Sequence, residues 1–415
     1  ILRILLKKGI ITEQEYKAIK EELKAETKET ETAQMKEEIK KEVMEEVAKK
    51  KENGAPDWTK RMKLSGLLEG EYRWKKHRDI SIKNSDSTSD LYLRRIQLGI
   101  EAGLNDWIRA NSVLNSEWIG DGVNNGDQKI NVDEATITLQ KENFPLYLVV
   151  GKRPQPFGVF ENHLITDPMT QDAYETKKVG LSFGVTGPIG SDISATIYKG
   201  EEQMDHLVGS GLIEVARTGE ATDDVGSYIL SASAAPFEDN LKLFAGYLSD
   251  PGRGKRNNTM NVGLSALIPG LKGLRLDAEY MKDLQRETYA GLNESFKEGV
   301  TSLTASYTFN VGEREEIGGA LFEEKKAHVI EEPVELAFRY EHFDDDNLAE
   351  KTVSWSANNR YSLGVRYSFF HDEKRELTAY VGTEYRYTDY RLHSSLKDIR
   401  ADNNKEMYLK LGLSF

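Results

Sequence analysis

The chain has 415 residues, 38% of them hydrophobic, and contains no cysteine. No stretch approaches the roughly 18 to 20 consecutive apolar residues of a bilayer-spanning helix, and the missing cysteines exclude disulfide frameworks, thiolate metal sites and cysteine nucleophiles. With 69 acidic against 56 basic residues the net charge is -13, which excludes the broadly positive surface of a general nucleic-acid binder.

The chain starts at Ile1 with no charged-then-apolar leader, so secretion has to be argued from the fold. Residues 1–53 consist almost wholly of Glu, Lys, Ala and aliphatics, with one glycine, Gly9, and no proline. They predict an α-helical or coiled-coil segment. Thr12 can cap a free backbone amide while Glu15 reaches back to it, and Tyr16, Ile19 and Leu23, then Met35, Ile39, Val43 and Val47, recur at three- and four-residue steps. The alternative for this segment is a solvated single helix or stalk. Residues 54–61 read as a linker.

From residue 62 to 415 period-two alternation takes over. Leu64, Leu68, Tyr72 and Trp74 share one face of their segment, with Lys63, Glu69, Glu71 and Arg73 on the other. Candidate strands fall near 62–75, 91–104, 107–118, 130–140, 146–151, 178–186, 192–199, 227–235, 241–248, 259–268, 271–281, 300–309, 335–343, 361–370, 377–389 and 407–415. Many are longer than the five or six residues typical of a soluble sandwich and carry aromatics near their ends. Connections alternate between long and short, as expected when one rim faces outside and the other the periplasm. The expectation is an all-β transmembrane barrel of about sixteen antiparallel strands. One connection breaks the alternation: residues 310–333 have helix-like composition and predict a periplasmic helix or a strand count wrong by two. The chain closes on an alternating segment, Met407 to Phe415, with an aromatic end like that of bacterial outer-membrane barrels.

Between the fifth and sixth candidate strands, Gly151-Lys152 leads into Pro156-Phe157-Gly158, then Glu161, His163, Asp167-Pro168, Thr170 and Glu175-Thr176. This stretch resembles the LbtU family of siderophore porins and, more distantly, the phosphate-selective porin O and P family. The resemblance implies a sixteen-stranded, trimeric outer-membrane channel whose third outer loop folds into the pore. It places the protein in the outer membrane of a Gram-negative cell, among outer-membrane lipid and lipopolysaccharide. The N-terminal segment then lies in the periplasm, where it could bind peptidoglycan or a periplasmic partner. The expected function is passive diffusion of small polar or charged solutes, with siderophore or anion uptake as finer possibilities. The competing class is a structural envelope protein with a plugged barrel and a tethering N-terminal helix.

The connection from Lys152 to Lys177 is the candidate constriction loop, stiffened by Pro154, Pro156 and Pro168. Its Glu161, Asp167, Asp172 and Glu175 are expected to face Arg73, Arg95 and Arg109 across a narrow gap, with Lys152 and Arg153 also lining the lumen. Other inward candidates by parity include Asp277, Glu279, Arg339, Glu341, Arg366, Glu384 and Lys410. No loop concentrates the basic residues of a phosphate ladder, which leaves anion against cation preference open. The seven histidines show no metal-ligand spacing and read as surface or rim residues. The acidic stretches Asp121–Asp127 and Phe343–Asn347 could hold a hard cation, though neither completes a calcium loop. No resident metal, cofactor or catalytic group is expected, and no nucleophile–base constellation argues for an enzyme.

Overall fold

A computed structural model describes residues 61–121, 129–200, 203–214, 224–252, 254–288, 294–317, 327–373 and 376–415. The expected helical segment 1–53, residues 54–60 of the linker and most of the acidic stretch Asp121–Asp127 lie outside these residues.

The described residues form a closed barrel of sixteen antiparallel strands, each hydrogen-bonded to its neighbours in sequence, with the first joined to the last. In order these are β1 (Met62–Lys75), β2 (Thr88–Gly103), β3 (Ile108–Ile119), β4 (Asn131–Leu139), β5 (Leu146–Pro154), β6 (Lys177–Thr186), β7 (Asp192–Tyr198) and β8 (Ser227–Ala234). They continue with β9 (Leu241–Asp250), β10 (Asn257–Leu267), β11 (Leu274–Gln285), β12 (Gly299–Ile317), β13 (Ala327–Asp344), β14 (Trp355–Asp372), β15 (Leu377–Leu392) and β16 (Asn403–Ser414). Among the described residues three short α-helices lie in the connections: α1 (Met169–Tyr174), α2 (Gln203–Gly209) and α3 (Leu348–Lys351). Closure leaves no strand edge with unpaired backbone groups, the condition for a sheet to exist in hydrocarbon.

Alternation divides the two faces. On β1, Leu64, Leu68 and Tyr72 are exposed outward while Glu69 and Glu71 are buried inward. On β13, Leu336 and Phe338 point out while Glu335, Arg339 and Glu341 are buried inside. An apolar outside and a charged inside reverse the pattern of a water-soluble domain and match a barrel solvated by lipid.

Residues 310–333 correct an expectation. Their described part is extended, with Asn310 opposite Pro333 and Ile317 opposite Ala327, so β12 and β13 lengthen into a projecting hairpin. Cross-strand pairing overrides the helix-like composition, and the count of sixteen stands.

The C-terminus completes the seam. Phe415 exchanges backbone hydrogen bonds of 2.7 and 3.0 Å with Gly66, and its ring occupies the space where a side chain at Gly66 would stand.

Candidate functional site

The connection 155–176, between β5 and β6, runs into the barrel and meets the wall on β11, β13, β14 and β15. In a ring of sixteen strands this is the opposite side. A connection that is mostly irregular brings unpaired amides into the barrel interior, and each needs an acceptor. The wall supplies carboxylates. Glu384 accepts from the Ile165 and Thr166 amides, both at 2.8 Å, and from the Thr166 hydroxyl at 2.6 Å. Glu279 accepts from the Val159 amide at 3.1 Å and the Thr170 hydroxyl at 2.7 Å. Glu341 accepts from the Met169 amide. Arg339, fully buried, donates to the Thr166 and Asp167 carbonyls at 2.8 and 3.1 Å.

His163 fastens the tip. Its Nδ1 lies 2.6 Å from Glu335 and its Nε2 3.0 Å from Asp277. Burial disfavours a charged imidazole there, yet the hydrogen bonds to Asp277 and Glu335 and their negative charges outweigh it and lift the pKa to about 9. The ring is therefore protonated at neutral pH, with both nitrogens donating. Beside it Leu164 rests against β14, where a side chain at Gly364 would come within 2.5 Å of it.

Beyond the loop, one side of the lumen is filled. Phe157, Met169 and Tyr174 of the loop pack with Tyr198, Ile229, Leu248, Met281, Val300 and Phe343 of the wall. Leu207, Leu212 and Ile213 from the connection after β7, and Leu348 of α3, close the cluster. Space remains towards β1, β2 and β14–β16, and also beside β3–β5.

A cavity of about 180 Å³ opens there between the loop tip and the wall. Asn162, His163, Leu164, Ile165 and Asp167 line it from the loop; Glu69, Arg94, Arg95, Arg366, Tyr380 and Lys410 line it from the barrel. Consecutive strand residues normally face opposite ways. Here the β1–β2 register shifts between Glu69, opposite Arg95, and Gly70, opposite Leu93. The resulting bulge turns both Arg94 and Arg95 inward. Both reach the same oxygen, Glu117 Oε1, at 3.3 and 2.8 Å, and the Arg94 guanidinium lies 4.1 Å from the Trp118 ring centre. Lys410 pairs with Glu69 at 3.3 Å and Glu71 at 3.7 Å, and Arg366 with Glu335 at 2.7 Å.

Of the residues expected to line a constriction, Arg95 and Asp167 share this cavity. The others are dispersed. Arg73 stays at the long-loop rim with Asp90 and Asp121, at 3.9 and 3.6 Å. Arg109 lies at the opposite rim and bonds Gln140 at 3.1 Å. It shares a separate cavity of about 290 Å³ with Arg153 and Glu134. Asp172 pairs with Arg360 at 2.9 Å rather than with Arg73, Arg95 or Arg109. Glu161 borders a small pocket beside Asp277 and Glu279, and Glu175 ends α1. Lys152 is a correction: β5 runs without a register shift, so Lys152 shares the outward parity of Val150 and bonds the Val132 carbonyl at 2.6 Å.

Two further expectations change. His163 is no rim residue, and the carboxylates of Phe343–Asn347 are internally engaged. Asp345 holds Arg391 at 2.8 Å and Ser356 at 2.7 Å, and Asp344 holds Lys282 at 3.0 Å. Sequence reasoning missed Arg94 and Trp118; the adjacent pair Arg94-Arg95 was visible, but nothing local announced the bulge.

No protein-family model matches this sequence, and no curated protein matches it. Solved structures do. The chain is similar to the outer membrane channel DcaP of Acinetobacter baumannii at 11% identity and a TM-score of 0.56, over 85% of this chain and 97% of that one. It is similar to Salmonella typhi OmpF, solved with daunomycin, at 12% identity and a TM-score of 0.55, over 85% and 97%. Pseudomonas putida OprB aligns at 12% identity and a TM-score of 0.52, over 86% and 95%. At these identities the likeness is one of fold: the chain has the architecture of outer-membrane barrel channels.

Proposed function

We propose that this protein is an outer-membrane diffusion channel for small polar or charged solutes. The observation that carries the proposal is the loop 155–176, pinned across the lumen of an apolar-faced barrel so that a charged cavity remains beside it. A barrel interior lined by both signs of charge and narrowed by a rigid loop suits passage of hydrated solutes, with selectivity set where the loop meets the wall. The long connections would then face outside and both strand ends the periplasm, with residues 1–53 below the membrane. Assembly as a homotrimer in outer-membrane lipid and lipopolysaccharide, attachment to peptidoglycan or a periplasmic partner, and uptake of siderophores or anions are finer parts of the same proposal.

The alternative, an envelope tether with a plugged barrel, draws on the apolar packing that fills one side of the lumen. Planar-bilayer recording separates the two. A channel gives discrete conductance steps that grow when residues 158–174 are replaced by a short glycine-serine linker. A silent bilayer, with the full-length protein demonstrably folded, supports the tether.

A further inference from the structure

A second connection enters the barrel from the long-loop rim. Between β7 and β8 the described residues 203–214 carry α2 and then reach β14 across the ring. There Ile213 stands opposite Ser356 in an antiparallel bridge. The Glu214 amide donates to the Trp355 carbonyl at 3.0 Å, and the Ala357 amide donates to the Leu212 carbonyl at 2.6 Å. Arg400, in the connection between β15 and β16, pairs with Glu214 at 2.6 Å, and the Ser354 hydroxyl donates to the Glu214 carbonyl. On its way the segment packs on α1. Leu207 and Leu212, both fully buried, and Ile213 share a cluster with Met169, Ala173 and Tyr174 of α1, while the Ser210 hydroxyl donates to the Asp172 carbonyl. Six residues do not make a helix that stands alone, and α1 has no side-chain cap at its start. Its place is set by what packs on it: Glu279, Glu341 and Arg360 of the wall, and the segment 203–214.

We propose that residues 203–214 form a releasable strap that positions the loop 155–176 and so sets the width of the passage beside it. Docked on β14, the strap holds α1 in place; lifted, it frees α1 to shift. That shift reaches the passage, because Asp167, which lines the cavity beside the loop tip, stands two residues before α1. The strap is the lighter fastening of the two. It meets β14 through two backbone bonds and a half-exposed Glu214, whereas the loop tip is held by the carboxylates of Asp277, Glu335 and Glu384. Release therefore begins at the strap, the less strongly bonded unit. The inference rests on the channel reading above and adds a determinant of solute size that lies away from the passage itself. A connection that only roofed the mouth would leave α1, and the passage, unchanged when it lifted.

The chain has no cysteine, so one introduced thiol reports on the strap alone. Ile213→Cys, at a position only 3% exposed while the strap is docked, is recorded in planar bilayers with a negatively charged methanethiosulfonate reagent on the long-loop side. When the strap lifts, the thiolate attacks the reagent's sulfur, a mixed disulfide forms and sulfinate leaves; the added charge then keeps the strap from redocking. Single-channel conductance should step up as the reagent reacts and return to its starting value when dithiothreitol removes the label, a reversal that a misfolded variant would not give. The unaltered protein should respond to neither reagent. Positions 213 and 356 oppose each other without a mutual backbone hydrogen bond, a pairing that brings Cα atoms to about 4.5 Å, within reach of a disulfide. Ile213→Cys combined with Ser356→Cys should therefore lock the strap when oxidised and abolish the response. A thiol at 213 that never reacts overturns the inference, because the strap then does not lift. Label shown by mass spectrometry with conductance unchanged also overturns it, leaving a mere cover, as does a response that persists in the oxidised pair. If the unaltered protein gives no conductance steps, the channel proposal itself fails.

Discussion

At the scale of single residues, His163 makes the loop sensitive to pH. Its pKa is raised from an ordinary value near 6.5 to about 9. A group whose folded pKa is raised contributes fully below its unfolded value and loses that contribution as pH climbs through the folded one. Single-channel conductance should therefore stay flat up to about pH 8 and rise or grow noisy above about pH 9, as the bonds to Asp277 and Glu335 lose their charge. In His163→Gln the step should vanish; a step that survives assigns the titration to another group. Arg95 gives a second prediction. Arg95→Glu should move the reversal potential in a salt gradient toward cations, whereas Arg109→Glu, at the short-turn rim beside Gln140, should move it far less. Equal shifts would place the narrowing away from the loop. Parity along the strands made Glu279, Arg339, Glu341 and Glu384 legible as inward residues. What they hold was not legible, because the contact from Thr166 to Glu384 spans 218 residues and leaves no local trace.

At the scale of elements, two of the adjacent basic pairs, Lys152-Arg153 and Arg94-Arg95, show how one unpaired residue decides a face. Lys152-Arg153 obeys strict alternation, one side chain out and one in; Arg94-Arg95 sits on a bulge and sends both in. Each pair carries two positive charges, so the difference lay beyond sequence reading. Strand positions were legible to within a few residues at most ends, because period two over ten or more residues has few competing readings. The hairpin of β12 and β13 was the exception, since pairing to a long partner outweighs the helix preference of a charged segment. For the loop, Glu384→Ala should leave two amides and a hydroxyl without their acceptor, each costing about 1–3 kcal/mol if water cannot replace it. Limited proteolysis should then cut within 155–176 while the strands survive. Protection equal to the parent would show that Leu164 and the apolar cluster, not the carboxylate, hold the loop.

At the scale of the whole molecule, closure through β1 and β16 makes the barrel one cooperative unit whose seam depends on Gly66. Gly66→Val should displace Phe415 and lower the temperature at which the folded, fast-migrating band converts to the unfolded one in electrophoresis. An unchanged conversion temperature would show that the ring contributes nothing to closure. Removing residues 1–53 should leave conductance intact and weaken only assembly or wall attachment; loss of the folded band would contradict that division. The loop's placement has a mechanical consequence as well. A hoop of strands resists stretching around its circumference through its hydrogen bonds, but it flattens into an ellipse at little cost. A segment rooted between β5 and β6 and bonded to Asp277, Glu335 and Glu384 on the far wall acts as a tie across the diameter. Lateral pressure in the bilayer would then be carried by those few bonds, and the cross-section would keep its shape as the surrounding lipid thickens or crowds.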